Sequence, residues 1–207
     1  MSVLKPAQLS VSATKRRQIV DAAIAEFQEN GFAGTSMDRI TERACVSKRT
    51  VYNHFENKEA LFHAIIELIF EQFSETVTLS YIPGKPLRPQ LVELGRAEGK
   101  LLMSESFMRL VRMAMGETMR DPALAVKMNE RAEACTVFSC FMAGARDAGA
   151  MPGIDPAEVS EQFLGLIKAR AFWPYVLRSN AIDAETMEAI VQSSVETIMA
   201  RFAPDTE

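Results

Sequence analysis

Along this chain apolar residues recur every third or fourth position, the period of a helix with one buried face. Ile19, Ala23 and Phe27 stand at i, i+4 and i+8 with Val20 and Ile24 beside them, which predicts a helix from about Thr14 to Asn30; Asn30-Gly31 ends it. Met37, Ile40 and Ala44 fall at i, i+3 and i+7, so a short helix is predicted behind a Ser36 cap. Val51 and Phe55 predict a second short helix capped by Ser47, with Cys45 and Val46 left between the two. Asn57 can cap a long helix, 58–79, whose apolar set (Leu61, Phe62, Ile65, Ile66, Ile69, Phe73) is wide enough to touch neighbours on more than one side. Pro83-Gly84-Lys85-Pro86 breaks that helix.

The following stretch reads as helices 87–103 and 105–119. Asp121-Pro122 and Asp155-Pro156 each place a capping carboxylate before a proline of the first turn, which opens helices running to about 148 and about 177. Pro174 is expected to kink the second of these, and a last helix runs from about Asp183 to Phe202. The fold class is therefore all-α, with about nine helices. No strand-like alternation and no internal repeat is present. Residues 1–12 show no period and are expected to form a flexible arm.

Residues 36–55 hold two capped helices separated by two residues, the arrangement of a helix-turn-helix. With Val51 and Phe55 turned inward, Arg49 and Asn53 point the opposite way, and Thr50 and Tyr52 occupy the flanks. A cation, an amide, a hydroxyl and a phenol on one narrow face are groups that base edges and phosphates accept. The run Val46-Ser47, Val51-Tyr52, Phe55, Lys58 and Leu61, preceded by Phe27, Gly31-Phe32, Thr35 and Ile40, resembles the amino-terminal DNA-binding domain of tetracycline-repressor (TetR) family regulators over roughly residues 15–62. One position departs from the family pattern: Cys45 stands where glycine is common, at a cost of about 1 kcal/mol if the turn requires φ > 0.

The resemblance implies residues 13–60 as a three-helix DNA-binding head and 61–207 as a ligand-binding and dimerisation body. It implies a homodimer that places two recognition helices in successive major grooves, about 34 Å apart. Arg49 and Asn53 would read bases, with Lys48 and Thr50 beside them; Thr35, Tyr52, His54 and Lys58 would hold phosphates. The last two helices would form the dimer seam, for which Leu164, Gly165, Ile167, Val191, Val195 and Ile198 are the candidates. A small, largely apolar effector binding in the body would release the operator. An architectural or partner-controlled DNA-binding protein without a small-molecule ligand is the alternative.

Composition changes this picture little. The net charge is −4, yet residues 1–60 carry nine Lys and Arg against seven Asp and Glu, while the remainder carries fourteen against twenty. A head with a balance of +2 and a body with −6 suit one end that faces DNA and one that does not. The cysteines (Cys45, Cys135, Cys140) have no metal-ligand spacing, and no secretory segment or membrane-spanning run is visible, so a reduced cytoplasmic protein is expected. His54 and His63 belong to no catalytic or metal-binding set, and no glycine-rich phosphate loop exists. Neither an enzyme nor a cofactor is expected.

Five of the twelve methionines, Met103, Met108, Met113, Met115 and Met119, crowd one region. Core filler is the plainer account of them, and a deformable pocket is the functional one. The expected effector site is Met103, Phe107, Arg109, Met113, Phe172 and Trp173, with an inward arginine from the pair Arg109 and Arg112 available to a carboxylate. Lys15-Arg16-Arg17 is either a solvated cluster or a phosphate contact.

Overall fold

The computed structural model describes residues 11–76, 79–133, 137–178 and 182–203; the expected arm, as far as residue 10, lies outside them. Eleven helices are present among the described residues: α1 (Val11–Gly34), α2 (Met37–Arg43), α3 (Lys48–His54), α4 (Lys58–Thr76), α5 (Leu87–Leu102), α6 (Glu105–Thr118), α7 (Pro122–Glu133), α8 (Val137–Asp147), α9 (Pro156–Ala171), α10 (Trp173–Val176) and α11 (Ala184–Phe202). The chain is all-α, as expected, with two helices more than the sequence pattern predicts. Of the stretch 121–148, α7 and α8 are described on either side of residues 134–136, which lie outside the described residues. The stretch 155–177 is divided at Phe172, because Pro174 lacks the N–H that would continue the ladder.

The helix starts follow local chemistry. Ser36 Oγ accepts from Arg39 N (3.3 Å), Ser47 Oγ from Thr50 N (3.1 Å), Asn57 Oδ1 from Ala60 N (2.8 Å), Asp155 Oδ1 from Ala157 N (2.9 Å) and Asp183 Oδ1 from Thr186 N (2.8 Å). Each satisfies a backbone donor that the first turn leaves without a partner, worth about 1 kcal/mol.

The chain divides into two compact units. The first comprises residues up to Leu68 together with Met113–Met128, and the second comprises Ile69–Arg112 and the residues from Asn129 onward. Helices α4 and α6 each contribute to both. In the first unit Ile19, Ala23, Phe27, Ile40, Val51, Phe55, Leu61, Phe62 and Ile65 are buried and form one core. Phe32 packs tilted against Phe27 (ring centroids 5.2 Å) and edge-on to Phe62 (5.5 Å). Gly31 ends the regular part of α1 at φ 69°, ψ 166°, a region that only glycine reaches without strain.

In the second unit α5, α9 and α11 pack side by side, and α8 lies on α9. Gly95 admits close approach: a Cβ there would stand 2.8 Å from Val191 Cγ1 and 3.3 Å from Phe163 Cζ. Ile167, Val191, Val195 and Ile198 are buried within the protomer at 0–1% exposure. They are thus core, which corrects their assignment to a dimer seam; α5 covers the apolar face of α11 that the sequence offers to a second chain. Gly165 is exposed, and a Cβ added there would meet nothing within 4 Å. Exposed ion pairs Arg96–Glu188 (2.6 Å) and Arg88–Glu196 (3.1 Å) flank the α5–α11 contact. The guanidinium of Arg96, then the Gln192 amide, holds the Glu188 carboxyl down at about 2.

Candidate nucleic-acid interface

Helix α3 is seven residues long, and one side chain, Val51, anchors it in the core at 0% exposure. With that side fixed, Lys48, Arg49, Tyr52 and Asn53 are exposed, while Thr50 and His54 are half-buried. The six fall on adjacent turns of one helix, so the structure brings them together. Thr50 Oγ1 lies 2.8 Å from Ser47 Oγ, tying that hydroxyl to the cap. Tyr52 keeps half its surface in solvent.

Helix α3 is held to α2 through the turn and through charge. Cys45 adopts φ 51°, the left-handed conformation that its place in the turn demands. Lys48 Nζ pairs with Asp38 Oδ1 at 2.8 Å, and that hydrogen bond raises the Lys48 pKa. Both side chains are more than half exposed, so solvent screens the pair and it can reopen toward a phosphate. In turn α2 is held to α1 by Glu26. Its buried carboxylate meets Arg39 (3.1 Å), Arg43 (2.7 Å) and Asn30 Nδ2 (3.1 Å), and Arg43 reaches on to Glu29. A buried carboxylate with this many donors is well compensated; removing the donors would leave a costly unpaired charge. Of the basic opening of α1, Arg16 lies over the Phe55 ring (5.2 Å) and Arg17 pairs loosely with Asp21 (4.0 Å).

Two expected phosphate-binding positions stand apart. Thr35 is 4% exposed, and its single O–H is directed inward, shared between the carbonyls of Gly31 (2.8 Å) and Glu26 (3.1 Å). Lys58 Nζ donates to the carbonyls of Phe32 (2.8 Å) and Thr35 (3.3 Å) and sits 4.6 Å from the Phe32 ring centroid. Two of its three N–H groups are committed to the end of α1, leaving one for a phosphate.

The residues expected at an effector site are distributed differently from that expectation. In the second unit Phe107 is buried, Met103 and Phe172 are half-buried, and Trp173, edge-on to Phe172 at 5.1 Å, is 54% exposed. Arg109 points to solvent and pairs with Glu105 (3.9 Å). Arg112 is the more inward of the two arginines: it is half-buried and donates to the Tyr175 carbonyl (3.3 Å). Met113, half-buried, belongs to the first unit. A cleft of about 160 Å³ in the second unit is lined by residues including Leu79, Ile82, Pro86, Pro89, Glu93 and Phe141, and by none of the six expected residues. Among the described residues no group of three or more His, Cys, Asp or Glu could hold a metal, and no helix is long and apolar enough to cross a membrane.

A capped seven-residue helix anchored by one valine, turning an arginine and an asparagine outward from an all-α protein, defines a helix-turn-helix DNA-binding protein. Residues 19–65 match the family described as bacterial regulatory proteins, tetR family, and residues 89–204 match the carboxy-terminal domain of AefR-like transcriptional repressors. The chain is 33% identical to the HTH-type transcriptional regulator UidR of Escherichia coli K12, covering 73% of this chain and 76% of that one. It superposes on a TetR family transcriptional regulator from Pseudomonas syringae pv. tomato DC3000 with a TM-score of 0.82 at 36% identity, over 93% of this chain and 98% of the other. A structure titled flavonoid-responsive regulator FrrA matches with a TM-score of 0.74 at 29% identity, over 93% and 99% of the two chains. The chain belongs to the TetR family and is a DNA-binding transcriptional repressor.

Proposed function

We propose that this repressor acts in the cytoplasm as a homodimer and leaves its operator when a small, largely apolar effector binds the second unit. The observation that carries the DNA half is the outward face of α3. Arg49 and Asn53 take base edges, flanked by Lys48 and Thr50. Tyr52 and His54 take phosphates, joined by the remaining N–H of Lys58. Thr35 serves by fixing the backbone where α1 gives way to α2. The dimer seam lies on the exposed side of α9 around Leu164 and Gly165, where a small residue with open space beside it suits close helix approach. The effector meets Met103, Phe107 and Phe172, and Arg112 is placed to take an acidic group on it. FrrA, named as flavonoid-responsive, supports an aromatic effector.

The test uses a duplex selected by the protein from a random-sequence pool, with a panel of flavonoids and other apolar aromatics as probes. A true effector raises the melting temperature and lowers operator affinity by linkage; at a hundredfold excess over Kd the stabilisation is about 2.7 kcal/mol. Release with no thermal shift, or a thermal shift with no release, overturns the effector reading and favours a partner-controlled DNA-binding protein. Arg49→Ala should relax preference at one base position by about 1–3 kcal/mol. Equal losses on selected and random DNA would move Arg49 to the phosphate-contacting set.

A further inference from the structure

The peptide of Phe32 is gripped from both sides. Its N–H donates to Glu117 Oε1 (3.2 Å), a side chain 85 residues further along the chain, and its carbonyl accepts from Lys58 Nζ (2.8 Å). Glu117 stands in the last turn of α6, 8% exposed, on the face that carries Phe107, Leu110, Val111 and Ala114, all of them buried. A carboxylate on that face has left water and needs donors there. It finds two, the Phe32 N–H and Arg120 Nη1 (2.9 Å). The Phe32 N–H, for its part, follows Gly31, whose φ of 69° turns it out of the α1 ladder. The bond therefore pairs a donor that the helix cannot satisfy with an acceptor that the core cannot leave alone. It lies at the segment 31–35, on which Thr35 and Lys58 also converge.

From this geometry we infer that Glu117 is a positioning residue for operator recognition. Its carboxylate fixes the α1–α2 junction, and through α2 and the Ser47-capped turn it sets the attitude of α3. Sequence-specific binding depends on this because base edges demand closer placement of Arg49 and Asn53 than phosphates do. Random DNA, held by charge, does not.

Binding of the full-length protein to its pool-selected duplex and to random DNA, for wild type, Glu117→Met and Glu117→Gln, decides the matter. Met keeps the volume and offers no carbonyl acceptor; Gln keeps an acceptor oxygen. The expected result is a Glu117→Met protein weakened about tenfold on the selected duplex, with affinity for random DNA within about twofold of wild type. Glu117→Gln should stay within about twofold on both. Amide hydrogen exchange should find Phe32 protected in wild type and Glu117→Gln and fast in Glu117→Met. A purely structural role would lower the melting temperature and leave the ratio of selected to random affinity unchanged. That outcome overturns the inference, as does a loss shared by Met and Gln alike. If Glu117→Met fails to fold, Glu117→Leu takes its place: a loss confined to the selected duplex upholds the inference, and an unchanged ratio, or a wild-type Phe32 amide that exchanges as fast as an unpaired one, overturns it.

Discussion

At Cys45 the turn between α2 and α3 demands φ 51°, which crowds a Cβ against the backbone. Glycine relieves that crowding, and a β-branched residue aggravates it. Stability should follow the order Gly, Cys, Val at this position, with the extremes separated by about 1–3 kcal/mol in urea denaturation. Equal midpoints for Cys45→Gly and Cys45→Val would mean that the turn relaxes into another conformation. The cost of a side chain in this turn was legible in the sequence, since the turn and its two flanking caps are local. The outward direction of Arg109 is equally local. Phe107, Leu110, Val111 and Ala114 define the inner face of α6 and put residue 109 outside it. The same period puts Glu117 inside, but its partner lies 85 residues away, beyond the reach of any local pattern.

Among elements, α9 and α11 illustrate how an apolar stripe conceals its partner. Val191, Val195 and Ile198 repeat with helical spacing, and nothing in that spacing says whether α5 or a second chain covers them. The close approach that decides it depends on Gly95, whose missing side chain lets Val191 reach α5. An alanine there gains about 1 kcal/mol of helix propensity. It must also displace the stiff Val191 and the buried Phe163, at about 1–3 kcal/mol. Gly95→Ala should thus come out neutral to destabilising in a thermal melt; a clear rise would show the α5–α11 contact to be loose. Gly165→Arg should instead leave the melt of the protomer nearly unchanged while sedimentation reports a monomer. A tight dimer that still binds operator would place the seam elsewhere.

For the whole molecule, two carboxylates of opposite habit shape the response to pH. Glu98 is buried at 2% exposure, with Lys168 Nζ 3.7 Å from Oε1 and no hydrogen-bond partner for Oε2 among the described residues. Burial raises its pKa, only partly opposed by Lys168. A raised carboxylate pKa contributes stability below the unfolded value of 4.5, and that contribution fades as pH rises. Glu188, held at about 2, contributes stability above 4.5 and loses it as pH falls toward about 2. Urea midpoints should therefore rise as pH falls from 7 toward 4.5 in wild type more than in Glu98→Gln, and should drop below 4.5 more in wild type than in Glu188→Gln. Because Glu188 is 40% exposed, solvent screening limits its share to about 1 kcal/mol. Identical profiles for wild type and Glu98→Gln would show that water reaches Oε2.

The division into units has a consequence for dissecting this repressor. A fragment ending near residue 68 would contain every side chain proposed to touch DNA, yet it would omit Met113–Met128 and with them the acceptor for the Phe32 N–H. Chain order and spatial order disagree here. A minimal DNA-binding module therefore has to be built as a graft, with the end of α6 spliced onto residues 11–68 by a linker. Cutting the gene at the apparent domain boundary should instead yield a peptide with the right letters and a frayed α1–α2 junction.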